Sequence, residues 1–379
     1  MKAFWKILGV MVLLFSYSKN SFGQGFPSWG NLKSGNFDVG FKTFQAYDST
    51  RKYKPEQGIT FRPLLIHLWY PTERSGKKER MPYKSYVGLE TQRENFKENK
   101  AEFIDNYCKQ QMYGYIDLGK SIMGGLTVSI DEVLASQTAS IYNANQAKDK
   151  FPLIIYMPSF GKSSIQNNIV CEYLSSYGYI IASVASAGEN SQLMTSDEKG
   201  VMAQVLDVEF LVNYLKTKEQ LKFTNIGTFG YSWGGFSNVI HQMRNDYVKA
   251  VVSWDGSIEY QGYEIAQKMT DFNPNKISVP YIFFANKNED WTQFPFFKSI
   301  PKGKKNLYRC PQFEHAEFTS YWTTLANSKV NSSSYNLESY QLICKQTLLF
   351  FDKSLKGKKK RPEKHSSVEV KYLKKLTVD

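Results

Sequence analysis

Ser232 lies at the centre of Gly230-Tyr231-Ser232-Trp233-Gly234, a G-x-S-x-G pentapeptide inside NIGTFGYSWGGFSNVI, residues 225–240. A serine hydroxyl is a poor nucleophile at neutral pH. Chemistry at Ser232 therefore needs a general base, and an acid that fixes the base's tautomer and stabilises its charged form. The pentapeptide occurs in many unrelated chains, so its surroundings decide its meaning. A nucleophile elbow requires a strand before the serine and a helix after it, with glycines two residues to either side because the tight turn brings the two backbones together. Residues 225–231 read as a short buried strand, and 233–245 continue in helical fashion with Val239 and Met243 four apart. Ser232 is a candidate nucleophile on that context.

The chain offers four histidines as base. His67 falls within an early strand, His241 inside the helix after Ser232, and His365 in a basic tail. His315, in QFEHAEF after the strand KNLYRC, sits where the chain order Ser…Asp…His puts a base. Two acids compete. Asp255 ends the strand VVSW after the elbow helix, and Asp290 follows the next strand in FFANKNEDW. Both are at C-terminal strand ends, where catalytic groups gather in open α/β sheets. Local pattern does not separate them.

The elements needed to position these residues are legible along the chain. Residues 36–70 contain strand-like runs, RPLLIHLWYP the clearest, and read as an N-terminal antiparallel portion. Residues 88–135 are rich in Glu and Lys with helical stretches, an insertion that is a candidate lid. From Phe151 onward strands and helices alternate: PLIIYM, a helix over 164–176, YIIASVA, a helix over 197–216, NIGTFGY, the elbow helix, KAVVSW, VPYIFFA, KNLYRC and a last helix over 336–353. Such alternation predicts an α/β fold with a mostly parallel sheet and helices on both faces.

With 379 residues, 42% hydrophobic and 15% aromatic, the chain has ample material for one large domain, expected over 24–355. Residues 1–23 have early lysines, an apolar run from Ile7 to Phe15 and the triplet Ser21-Phe22-Gly23, the pattern of a cleavable export signal. The run is shorter than the roughly 20 residues of a spanning helix. The expectation is an exported protein, periplasmic or extracellular, without a stable membrane span. The net charge of +13 is concentrated at the ends. From Lys353 to Asp379 ten Lys or Arg face only Glu363, Glu369 and Asp379, so the tail over 356–379 reads as a solvated extension and no nucleic-acid partner is implied. Cys108, Cys171, Cys310 and Cys344 lack metal or redox spacing. A Cys171–Cys344 bridge between helices and buried free thiols are both open.

The order of these segments resembles the α/β-hydrolase fold over residues 60–355, in the branch that contains platelet-activating factor acetylhydrolase and dienelactone-hydrolase-like esterases. The resemblance is carried by LWYP, FPLIIYMPSFGKSS, GYIIASV, VLDVEFLVNYL, GYSWGG, VVSWDG, FEHAEF and LLFFDKSLKG. It implies that the acid comes from the strand directly after the elbow, hence Asp255 with Asp290 as the alternative. It also accommodates His315, 83 residues after Ser232. An esterase needs two donors for the oxyanion. One is the backbone N–H of Trp233, next to the nucleophile; the resemblance implies Phe160, in the loop after PLIIYM, as the other. Relatives often carry His-Gly before this position where this chain has Pro158-Ser159, which makes the Ser159 hydroxyl an alternative donor. Dienelactone hydrolysis itself uses a cysteine at the elbow, so Ser232 points to ester cleavage instead.

The resulting expectation is a secreted serine hydrolase acting on small or lipid-like carboxylic esters through an acyl-enzyme, with no metal or organic cofactor implied. Bulky Trp233 and Phe160 would narrow the acyl pocket toward short chains, and Tyr231 and the aromatics of Trp291–Phe297 are candidate walls. Another acyl substrate for the same triad (a polyester, carbohydrate ester, thioester or peptide) and a noncatalytic binding protein are the alternatives.

Overall fold

The six apolar runs after residue 150 become adjacent parallel strands. The computed structural model of the chain describes residues 26–54, 57–74, 79–123, 129–219, 221–288, 290–301, 305–327, 337–358 and 373–376. The expected export signal, His365 and most of the basic tail lie outside the described residues. Strands β1 (Asp38–Lys52) and β2 (Phe61–Thr72) lead into helices α1 (Tyr83–Leu89), α2 (Ala101–Met123) and α3 (Ile130–Ala135), followed by β3 (Ser140–Tyr142). Then come β4 (Phe151–Met157), α4 (Asn168–Ser176), β5 (Ile180–Val184), α5 (Glu198–Thr217), β6 (Phe223–Tyr231), α6 (Trp233–Arg244) and β7 (Val248–Trp254). The chain continues through α7 (Gln261–Ala266), β8 (Tyr281–Ala285), α8 (Pro295–Ser299), β9 (Lys305–Arg309), α9 (Ser320–Asn327), α10 (Leu337–Lys356) and β10 (Lys374–Leu376).

All the strands join one sheet in the order β10-β9-β8-β7-β6-β4-β5-β2-β1-β3. Strands β4 to β9 run parallel, while β2 is antiparallel to both β5 and β1. The α/β architecture read from the sequence is thus the observed one, a mostly parallel sheet with antiparallel strands at the N-terminal side and helices over 83–135. Every residue of β4 is buried, as a strand covered on both faces requires. Its alternate residues enter different cores: Ile154 and Tyr156 pack with α4 and α10, whereas Leu153, Ile155 and Met157 pack with Val208, Leu211 and Leu215 of α5. Helix α5 starts where Asp197 accepts a hydrogen bond from the Gly200 N–H at 3.1 Å. Among the described residues, no helix is long and apolar enough to cross a membrane.

Two buried carboxylates tie the added elements to this body. Glu172 of α4, with no exposed surface, accepts from Trp29 Nε1 (2.9 Å), Tyr86 OH (2.7 Å), Ser140 Oγ (3.2 Å) and the Ala139 N–H (3.2 Å). Burial pushes its carboxyl up, and these hydrogen bonds oppose the shift. Asp207 of α5 takes Nε and Nη2 of buried Arg62 at 2.5 and 2.6 Å and Nη2 of Arg51 at 2.7 Å. Arg62 also donates to the carbonyls of Gly188 and Glu189, which pins the loop after β5.

One reading is corrected, and one pair of alternatives is decided. The tail is not wholly a solvated extension: Lys374–Leu376 pairs antiparallel with β9. Leu373 and Leu376, an odd number of positions apart, join cores on opposite faces of the sheet. The Cys171–Cys344 bridge is absent, since all four cysteines are buried free thiols.

Replacing Asp207 with Ala leaves the Arg62 guanidinium buried without its carboxylate. The expected cost is about 3–5 kcal/mol in stability, read as a fall in the urea midpoint at constant m-value.

Candidate active site

Strand β6 delivers Ser232 at its C-terminal end, and the turn into α6 is tight. Ser232 has φ 55° and ψ −120°, a conformation that costs a non-glycine residue about 1–3 kcal/mol. Surrounding hydrogen bonds hold it there: its N–H donates to the Trp254 carbonyl at 3.0 Å, and its carbonyl accepts from Gly235 and Ser257, each at 2.9 Å. The flanking glycines are required by contact. A Cβ on Gly230 would lie 2.2 Å from the Gly234 carbonyl oxygen, and one on Gly234 would lie 2.0 Å from that of Met157.

Asp255 directly follows β7, also at positive φ (47°), and β9 leads to the turn His315–Phe318. Ser232 Oγ is 2.8 Å from His315 Nε2, and His315 Nδ1 is 2.5 Å from Asp255 Oδ2. Ser232 is 9% exposed, the His315 side chain 45% and Asp255 not at all. The arrangement can pass a proton from the serine to an imidazole whose other nitrogen is fixed by a carboxylate. Asp290 is not part of it. Its Oδ1 accepts from the Thr292 N–H and Oγ1 in a local turn, which holds the exposed carboxyl below its usual range.

The supporting partners were not legible in the sequence. The Asp255 carboxylate also accepts from Tyr260 OH (2.7 Å), the Asn286 N–H (3.1 Å) and Asn286 Nδ2 (2.8 Å). Asn286 stands just beyond β8, at the strand-end position that drew attention to Asp290 four residues later. Tyr231 OH donates to the His315 carbonyl at 2.7 Å, anchoring the histidine turn from behind.

The loop after β4 lies against the elbow, since the contact of Gly234 with the Met157 carbonyl is backbone to backbone. Phe160 is 40% exposed and meets the Trp233 ring edge-on, with centroids 5.4 Å apart. As the first residue of α6, Trp233 has an N–H without an intrahelical acceptor. The Ser159 hydroxyl is not presented to the site. It pairs with the Gln166 side chain (2.9–3.0 Å), whose Oε1 also accepts the Ser159 N–H at 3.0 Å. Most of the expected aromatic wall is core: Phe294 packs on Tyr260 and Phe283, and Phe296 and Phe297 are buried against Tyr281. The Trp291 side chain lies outside the described residues. Among the described residues, no cluster of three or more His, Cys, Asp or Glu is arranged to hold a metal ion.

Of the other histidines, His67 is buried with Nδ1 2.5 Å from Ser164 Oγ, and His241 is buried beside Tyr247. Burial pulls their pKa values down to about 3 and about 4. Both therefore stay neutral in the fold while the unfolded chain takes up protons below about 6.5. Stability from this source is full above that pH and is lost as the pH falls toward 4. A His67→Gln/His241→Gln protein is expected to show a smaller drop in urea midpoint between pH 7 and 4.5 than the parent.

Tyr260→Phe removes one of the donors that fix the Asp255 carboxylate, which loosens its hold on His315 Nδ1. If His315 acts as base, kcat falls about tenfold, the equivalent of ~1.4 kcal/mol, with KM little changed. A purely structural role would instead lower the urea midpoint and leave kcat of the folded protein unchanged.

Residues 140–295 match the dienelactone hydrolase family. No curated protein matches the chain in sequence. Among solved structures, a ferulic acid esterase from Streptomyces cinnamoneus superposes with a TM-score of 0.62 at 19% identity, covering 90% of this chain and 97% of that one. The chain thus has the α/β-hydrolase fold, and its segment 140–295 is similar to the dienelactone hydrolase family.

Proposed function

We propose that the chain is an exported serine esterase. The observation that carries this reading is the continuous contact from Ser232 Oγ through His315 to the buried Asp255 carboxylate. In the first half-reaction Ser232 Oγ attacks the ester carbonyl carbon while His315 Nε2 accepts its proton. The tetrahedral oxyanion is held by the N–H groups of Trp233 and Phe160. Its collapse breaks the carbon–oxygen bond, and His315 returns the proton to the departing alcohol. Water, deprotonated by His315, then attacks the acyl-serine; the bond from the acyl carbon to Ser232 Oγ breaks, His315 returns the proton to Oγ, and the acid is released. Asp255 stays ionised and holds the imidazole throughout.

The edge-on pair of Phe160 and Trp233 beside the serine supports a preference for short acyl chains. Export rests on the N-terminal sequence, and the esterase class is supported by the family match and by an esterase among the structural neighbours.

The test is hydrolysis of 4-nitrophenyl esters from acetate to palmitate. Ser232→Ala is expected to abolish turnover, Asp255→Asn to lower kcat about 10⁴-fold, and Asp290→Asn to leave it intact. Loss in Asp290→Asn with activity retained in Asp255→Asn would reverse the assignment of the acid. Equal or better turnover of palmitate would remove the short-acyl preference.

A further inference from the structure

Between the helical insertion and the loop after β4 lies a cavity of about 170 Å³, walled by Glu90, Arg93, Tyr107 and Gln111 on one side and by Lys162 on the other. One water needs roughly 10–15 Å³ of such space, so a small oxyanion fits together with water. None of Ser232, Trp233 and His315 lines the cavity, and its chemistry is separate from theirs. Tyr115 and Tyr321, stacked on each other with centroids 3.9 Å apart, close another side.

Two cations meet one carboxylate here. Arg93 Nη1 lies 3.4 Å from Glu90 Oε2, and Nη2 donates to the Ser186 carbonyl at 3.2 Å. The rest of the guanidinium fork has no acceptor among the described residues. Lys162 is exposed on its loop, and of the two cations only Arg93 has a carboxylate within ion-pair distance among those residues. Tyr107 and Gln111 add neutral donors, the phenol pushed up to about 12 by burial and therefore protonated. Such a wall calls for an anion, and Glu90 restricts which one. The residue is 8% exposed, and its buried Oε1 makes no well-formed hydrogen bond. Beyond Arg93 only the Ser163 hydroxyl also acts on this carboxyl as a donor, without good geometry. An acceptor-only anion set against Oε1 leaves that oxygen unpaired and repels it. An oxyanion that keeps one acidic hydroxyl donates to Oε1 while its other oxygens accept from the cations.

We propose that this cavity is a binding site for inorganic phosphate, held as the monohydrogen dianion with its P–OH donating to Glu90 Oε1 and its other oxygens accepting from Arg93, Lys162 and the neutral donors. Sulfate has no hydroxyl to give, and neither has the dianion of a phosphate monoester, so both are rejected. The bound ion ties the helical insertion, through Arg93, to the loop after β4, through a lysine two residues beyond Phe160. The site is independent of the esterase reading and stands or falls without it.

The experiment is a calorimetric titration of the full-length protein with inorganic phosphate, sulfate and methyl phosphate. It is run in mildly alkaline buffer, where Glu90 is ionised although burial pushes its carboxyl up. Phosphate is expected to bind at one site about tenfold or more tighter than sulfate or methyl phosphate. Arg93→Gln and Lys162→Gln each weaken phosphate about tenfold, as loss of one charged hydrogen bond implies. Glu90→Gln puts an amide that can donate where the carboxylate stood, and sulfate then binds at least as tightly as phosphate. Lys162 is exposed, so its variant reports on binding even if Arg93→Gln fails to fold. No saturable phosphate binding, equal affinity for sulfate in the parent, affinity unchanged in Lys162→Gln, or a preference for phosphate retained in Glu90→Gln each overturns the site.

Discussion

A carboxylate with no exposed surface is tolerable only when its lone pairs are taken up, and Asp255 organises the C-terminal edge of the sheet around that requirement. It draws donors from Asn286 beyond β8, Tyr260 before α7 and His315 beyond β9. Three consecutive parallel strands must therefore finish at the same level, with their outgoing loops turned toward one point. The left-handed backbone at both Ser232 and Asp255 follows from this convergence. Each side chain has to leave its strand sharply enough to meet the histidine instead of continuing along the sheet.

The layers beneath supply the rigidity that such convergence needs. Alternate residues of β4 face different cores, so the strand next to the elbow is gripped from both sides. The insertion is held by chemistry of another kind. Glu172 gathers donors from the N-terminal segment, α1 and β3, elements that share little sequence proximity. A buried acid satisfied this way fixes orientation through hydrogen bonds where apolar packing alone would allow sliding.

What the sequence disclosed followed the range of each signal. The elbow was legible because its glycines sit at fixed offsets from Ser232, and the parallel strands because continuous apolar runs alternate with helical periodicity. His315 emerged by exclusion, since His67 and His241 lie inside elements whose interiors are buried. Tyr260 and Asn286 escaped notice because a hydrogen bond between residues five and thirty-one apart leaves no pattern in composition. The Ser159 hydroxyl was misjudged for the same reason: its partner Gln166 is set by the fold of the loop, not by spacing. In the tail, two leucines among lysines carried a strand signal that the charge concealed.

That short strand has a consequence for how the molecule behaves among its own copies. β9 would otherwise present a row of unpaired amides and carbonyls at the sheet's margin, a template for intermolecular pairing. Lys374–Leu376 occupies that row, and the exposed Lys374 and Lys375 place positive charge along the new edge. Any further strand adding there would meet repulsion from its counterpart lysines as well as a very short ladder. The basic tail thus acts on colloidal behaviour: a chain trimmed before Lys374 keeps its Ser232 constellation but opens β9 to fibre-like or dimeric association.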